Sequence, residues 1–164
     1  MPESSITFVK VSRAVTVSVV AASVVVAVLF SGCTAQKIKK DSAIVAQSHL
    51  ELGVAYLDQG RMDLSMMHLE MALAVEPSGA EIHYALALLH LKRGEEQQSE
   101  QHFLRSMRER KSYSEAQNGY GVLLCRQGRV EEAAIYFQLA VSNPGYITPE
   151  IASENERVCG EEKT

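Results

Sequence analysis

The sequence predicts an all-α fold: a right-handed superhelical solenoid of three helix hairpins, followed by one helix that caps its C-terminal end. Three observations support this. Gly60, Gly94 and Gly128 are each 34 residues apart. Other residue types recur at the same step, which is typical of stacked helical repeats. Finally, Thr148-Pro149-Glu150 combines a capping hydroxyl, a first-turn proline and an early acid, and this combination favours the start of a further helix.

The first 32 residues (1–32) are predicted to be a signal peptide outside the fold. Lys10 and Arg13 precede an apolar stretch from Ala14 to Phe30, which ends in Leu29-Phe30-Ser31-Gly32-Cys33. A basic start, an apolar middle and small residues at the end are typical of a secretory signal. The ending resembles the bacterial lipobox, which implies that Cys33 receives a lipid and becomes the N-terminus. The alternative is an uncleaved membrane helix, although the stretch is shorter than the ~20 residues that a spanning helix needs.

The predicted lipid on Cys33 would anchor the chain in a membrane, and no other cofactor is expected. Thr34 follows the cysteine. In this class of lipoprotein an Asp at that place often means retention in the inner membrane, so the resemblance implies the outer membrane, facing the periplasm. Residues 33–45 are expected to form a lipidated tether, because the segment 34–42 is polar and basic.

Residues 46–147 are predicted to form three repeats, 46–79, 80–113 and 114–147. Large and small residues recur at matching places: Leu52, Leu86 and Tyr120; Gly53, Ala87 and Gly121; Leu69, Phe103 and Phe137; Ala72, Ser106 and Ala140. This period and its L-G-x2-Y…A-x3-F pattern resemble the tetratricopeptide repeat, a pair of antiparallel helices. No repeat buries its apolar face alone, so neighbouring repeats must stack.

Residues 148–164 are predicted to be a partial fourth repeat, with a capping helix over 149–159 and a polar tail. Cys125 and Cys159 are also 34 residues apart. Because the periplasm is oxidising, we expect a disulfide that ties this helix to the third repeat. The alternative is a pair of buried free thiols, since packed helix axes lie ~8–10 Å apart and bridged Cα atoms need about 4.4–6.8 Å.

The first helices of the repeats are predicted to line a concave, apolar groove that binds another protein. By their register, the groove residues are Leu50, Val54, Tyr84, Leu88, Asn118 and Val122. An apolar strip of this kind favours an apolar partner segment, in extended or helical form. The alternative is that these side chains pack the interior of the solenoid.

Other function classes find little support. The net charge is −4, whereas nucleic-acid binding needs clustered Lys and Arg. No two histidines have the H-x3-H spacing that places two rings on one helical face, and His49 and His83 occupy the place of the repeat's missing Trp. No Ser-His-Asp, paired-carboxylate or phosphate-loop motif stands out. We therefore expect no catalytic residue, no metal site and no small-molecule substrate.

Several stretches resemble the pilotin lipoproteins of type IV pilus biogenesis. They are Leu52 to Leu57 with Gly60, Asn118 to Gly128, Asn143-Pro144 and Asn155 to Cys159. That family has a lipobox, early tetratricopeptide repeats and a cysteine pair at these two places. The resemblance implies a protein that escorts the pilus secretin to the outer membrane, supports its assembly and binds a secretin segment through the groove. The alternative is a general scaffold lipoprotein acting in envelope assembly.

Overall fold

The computed structural model describes residues 40–161, and the regular structure within them is entirely helical. Helix α1 covers residues 40–58. The helices that follow are α2 (Met62–Val75), α3 (Ala80–Arg93), α4 (Glu96–Glu109), α5 (Ser114–Arg126), α6 (Val130–Val141) and α7 (Pro149–Glu161). They form the hairpins α1–α2, α3–α4 and α5–α6, and α7 packs against α6 and α5. The predicted fold class is confirmed.

The start of the described chain differs from the prediction. Residues 40–45, which we assigned to the tether, already belong to α1. The buried side chains of Ala46 and Leu50 lie one turn apart, and the helix extends backwards from them. Ser48 Oγ donates to the carbonyl of Ile44 at 2.9 Å, within this early turn. The predicted signal peptide, Cys33 and the rest of the tether lie outside the described residues.

Each hairpin is built around one large buried side chain, namely Leu69, Phe103 or Phe137, each no more than 1% exposed. The facing helix must be small at the point of contact. A Cβ atom on Gly121 would lie 2.6 Å from Phe137 Cε1, and one on Gly53 would lie 2.6 Å from Leu69 Cδ2. The small residues of the 34-residue pattern therefore let the two helices of a hairpin approach closely.

The same turn closes the first helix of every hairpin. Gly60, Gly94 and Gly128 have φ angles of 72°, 75° and 73°, in the left-handed region that glycine adopts without strain. In the middle hairpin, the N–H of Glu95 donates to the carbonyl of His90 at 2.9 Å, which satisfies a carbonyl at the end of α3. None of the helices within residues 40–161 is long and apolar enough to cross a membrane.

In each of the first two hairpins, a pair of histidines occupies the position of the tryptophan in the repeat pattern. The Nδ1 atoms of His49 and His68 lie 3.1 Å apart, and those of His83 and His102 lie 3.0 Å apart. His83 Nε2 is 3.1 Å from the carbonyl of Pro77. If that nitrogen donates and the His83 ring is neutral, His83 Nδ1 accepts a hydrogen bond from the Nδ1–H group of His102. Our sequence analysis placed His49 and His83 correctly in the packing position but missed their partners.

Acid is expected to destabilise the fold through the second histidine pair. Burial lowers the pKa of His83, and it lowers the pKa of His102 to about 4. An unfolded histidine has a pKa of about 6.5, so the unfolded chain binds protons that the folded chain excludes. This contribution to stability is complete above about pH 6.5 and is lost as the pH falls towards about 4. Urea unfolding followed by circular dichroism should give a lower free energy of unfolding near pH 5 than near pH 7.5.

The third hairpin supplies the matched control, because it carries Gln117 and Tyr136 at the places of His83 and His102. The double variant H83Q/H102Y copies that pair into the second hairpin. It should lose less stability than the wild type over the same pH interval. An unchanged pH dependence in the variant would show that the histidine pair is not the cause.

Candidate functional site

An open groove lies between α1 and α3, and we call it the docking groove. Its volume is about 490 Å³, within the ~300–1,000 Å³ of ordinary binding pockets. Tyr113, in the connection between α4 and α5, contributes to its lining. The full apolar lining consists of Leu50, Val54, Ala55, Leu57, Tyr84, Ala85, Leu88 and Tyr113.

The apolar residues of the docking groove differ in how much surface they offer. Val54 is 38% exposed, whereas Leu50 and Leu57 are buried at 9% and 3%. Tyr84 and Leu88 are half-buried. Val54, Tyr84 and Leu88 are therefore the side chains that a partner would contact. Leu50 and Leu57 are packed beneath them in the interior.

Tyr84 is held rigidly by its neighbours. Its ring centroid is 5.4 Å from that of Tyr113, in an edge-on arrangement, and 6.3 Å from that of Phe103. Burial raises the pKa of Tyr84 to about 12, so the phenol keeps its proton at neutral pH. A rigid aromatic ring with a polar tip offers contact area at a small entropy cost, which suits a binding surface.

Carboxylates surround the apolar lining. Glu51, Asp58 and Glu81 belong to the groove wall, and none of the described residues that line it is basic. Glu81 forms an ion pair with Arg110, whose guanidinium lies 4.6 Å from the centroid of the Tyr113 ring. Burial also raises the pKa of Tyr113. Glu81 and Tyr113 of the groove wall are therefore both in contact with Arg110.

Tyr113, Glu51 and Glu81 are among the lining residues that the sequence analysis overlooked. A signal for Glu81 was present, because it occupies in the second repeat the place of Gln47 in the first, one turn before Tyr84. Tyr113 lies between two helices, where helical periodicity carries no information. Of the six predicted groove residues, the docking groove brings together Leu50, Val54, Tyr84 and Leu88.

The remaining two predicted groove residues contact the chain itself. Asn118 Oδ1 accepts a hydrogen bond from Asn155 Nδ2 of α7 at 2.9 Å. Val122 lines a separate pocket of about 180 Å³, together with Asn155 and Val158. Helix α7 stacks on the third hairpin as the first helix of a further repeat would. It therefore lies beside the part of the strip that α5 contributes, and the predicted strip holds two separate pockets, the docking groove and the pocket at Val122.

A disulfide joins Cys125 of α5 to Cys159 of α7. Their Cα atoms are 5.7 Å apart, inside the usual range of about 4.4–6.8 Å. Cys159 is 2% exposed. The two side chains face each other across the contact between the helices, which reconciles the distance between helix axes with the geometry of the bond.

A second depression is less suited to binding. A depression of about 540 Å³ lies at the helix turns, lined by Gly60, Arg61, Met62, Asp63, Leu64 and Arg93. Its lining has no aromatic side chain and only two large apolar ones, Met62 and Leu64, and Arg93 is paired with Glu95 at 3.0 Å. Within residues 40–161, no group of three or more His, Cys, Asp or Glu side chains is arranged to hold a metal ion.

Stacked helix hairpins with an open groove between their first helices define a helical-repeat scaffold for binding other proteins. The tetratricopeptide repeat family profile matches residues 50–113 and 105–147, together more than half of the chain. The chain therefore belongs to the tetratricopeptide-repeat family, whose members are typically protein-interaction modules without enzymatic activity.

Two curated relatives are similar in sequence. An uncharacterized protein of Haemophilus influenzae is 26% identical over 145 residues, which cover 88% of this chain and 81% of the relative. The type IV pilus assembly protein PilF of Pseudomonas aeruginosa is 28% identical over 103 residues, which cover 63% of this chain and 40% of PilF.

Solved structures of type IV pilus proteins share the fold. The structure of Pseudomonas aeruginosa PilF aligns with a TM-score of 0.72 at 24% identity, covering 75% of this chain and 55% of that one. PilW, described as a widely conserved type IV pilus biogenesis factor, aligns with a TM-score of 0.69 at 24% identity, covering 73% and 55%. The chain thus spans about half the length of these pilus proteins.

Removing the disulfide is expected to loosen α7. In the chain-entropy model, a bond that closes a loop of this length contributes about 3–4 kcal/mol to stability. Hydrogen exchange read by mass spectrometry should show faster exchange over residues 149–161 in the C125A/C159A variant, while α3 and α4 stay protected. Equal protection of α7 in both proteins would mean that packing alone holds this helix.

Proposed function

We propose that this protein is a lipid-anchored outer-membrane protein, facing the periplasm, that binds a secretin subunit and supports secretin assembly in type IV pilus biogenesis. The observation that carries the proposal is the open, apolar docking groove in the first two hairpins of a chain similar to the type IV pilus assembly protein PilF. The predicted lipidation of Cys33 supplies the anchor.

The groove suits a protein partner for physical reasons. Val54, Tyr84 and Leu88 present apolar surface along two parallel helices, and an extended or helical segment can lie across such a surface. Tyr84 combines rigidity, contact area and a polar hydroxyl, the properties of residues that dominate binding energy at interfaces. Hydrolysis or group transfer would require a positioned nucleophile or acid–base pair, and the titratable groups of the groove lining are three carboxylates and the phenols of Tyr84 and Tyr113.

The alternative, a general scaffold lipoprotein of envelope assembly, would use the same anchor and the same groove for another partner. Deleting the gene in a piliated strain separates the two functions. Under our proposal, the amount of multimeric secretin in the outer-membrane fraction falls, and the unassembled subunit accumulates. Unchanged secretin multimers in the deletion strain would refute the pilus function.

Val54→Asp is expected to weaken partner binding without unfolding the protein. A carboxylate at this position would be buried against the apolar segment of the partner, and the cost should reduce affinity about tenfold or more. The measurement is the amount of secretin that co-purifies from detergent-solubilised membranes, together with helical content by circular dichroism.

Leu52→Asp is the matched control for this variant. Leu52 lies on the same helix, is 44% exposed, and is not part of the docking groove. It should retain secretin at the level of the wild type. Equal retention by Val54→Asp and by the wild type would place the binding surface elsewhere.

Cys33→Ala is expected to abolish lipidation. The variant should incorporate no labelled fatty acid and should leave the outer-membrane fraction without detergent, because the thioether-linked lipid has no attachment point. Cys125→Ala is the control, since that cysteine belongs to the disulfide, and it should keep its lipid. If Cys33→Ala still needs detergent for its release, the membrane attachment has another cause.

A further inference from the structure

The charges around the docking groove carry information about the segment that binds there. On α1, Glu51 and Asp58 flank Val54, and all three side chains are exposed. Seven residues of helix separate the two carboxylates, so they lie about 10 Å apart along the axis, on the same face. A ligand side chain that contacts Val54 therefore comes close to both of them.

The neighbouring elements add charges of both signs. Glu81 is paired with Arg110. Lys92 Nζ is 3.5 Å from the backbone carbonyl of Leu57. The three carboxylates of the lining against Arg110 and Lys92 leave a net charge of −1 around an apolar surface.

We propose that the docking groove selects a polypeptide segment in which one or two large apolar side chains are flanked by Lys or Arg. The apolar side chains would lie against Val54, Tyr84 and Leu88, and the basic side chains would reach Glu51 and Asp58. This inference rests on the proposed protein-binding role of the groove, but it does not depend on the partner being a secretin.

The apolar lining and the charged rim of the docking groove contribute differently to binding. Burial of apolar surface supplies most of the affinity, because it scales with the area removed from water. Ion pairs at an exposed rim are weak, and salt screens them, so they mainly discriminate between partners and speed association. An acidic flank would meet like charges at Glu51 and Asp58, whereas a basic flank would be attracted by both.

Three fluorescent ten-residue peptides test this selection on the full chain in detergent micelles, by fluorescence anisotropy. The first has a Leu-Val-Phe core with two Lys on each side, the second has the same core with Glu in place of Lys, and the third keeps the Lys flanks around a Ser core. We expect the first peptide to bind about three- to tenfold more tightly than the second at low salt. Raising the salt from about 50 mM to about 500 mM should shrink this preference.

The charge-reversal variant E51K/D58K makes the test specific to the groove. It should bind the Glu-flanked peptide more tightly than the Lys-flanked peptide. The matched control E70K/E76K reverses two exposed carboxylates, one within α2 and one just beyond its end. Both lie outside the docking groove, so this variant should keep the preference of the wild type. Circular dichroism verifies that both variants remain helical.

Any of four results would overturn the inference: equal affinity for the two apolar peptides, equal affinity for the Ser-core peptide, no binding of any peptide, or a Lys preference that survives in E51K/D58K. Failure of the proposed pilus function is recognised separately. In that case secretin multimers are unchanged in the deletion strain, while the peptide preference remains intact.

Discussion

Close contact between a large side chain and a glycine, seen within the first and third hairpins, is the constraint on which the rest of the structure depends. Leu69 lies against Gly53, and Phe137 lies against Gly121, with no room for a further methyl group. Helices held this close leave apolar surface that only the next hairpin can cover, so the hairpins stack. Stacking places α1 beside α3, and Val54 and Tyr84 share one groove for that reason.

Much of the fold could be predicted because its determinants repeat along the sequence. The glycines with left-handed φ and the large hairpin residues all recur at a step of 34. A step of that length is typical of the helix hairpins of the tetratricopeptide repeat. The beginning of α1 was missed because residues 40–45 precede the repeat. The partners of His49 and His83 were missed for another reason: these contacts join two helices across a hairpin, and helical periodicity reports neighbours within one helix only.

The candidate site was predictable to the extent that it lies on single helices. Leu50, Val54, Tyr84 and Leu88 follow from the register of α1 and α3. Asn118 occupies an equivalent register position, but α7 returns to α5 and its Asn155 takes the hydrogen bond. The register of a helix predicts which face a side chain lies on. It does not predict whether a later helix of the same chain packs against that face.

The disulfide has a mechanical consequence as well. It joins residues 34 apart in sequence across a Cα separation of 5.7 Å. If the chain is pulled at its two ends, α1 to α4 can be extended. The force then passes through the disulfide, so the segment between the two cysteines, roughly 110 Å long if extended, carries none of it. Force can therefore not extend α6 and most of α7 while the bond is intact, although the part of α5 before Cys125 can still be drawn straight.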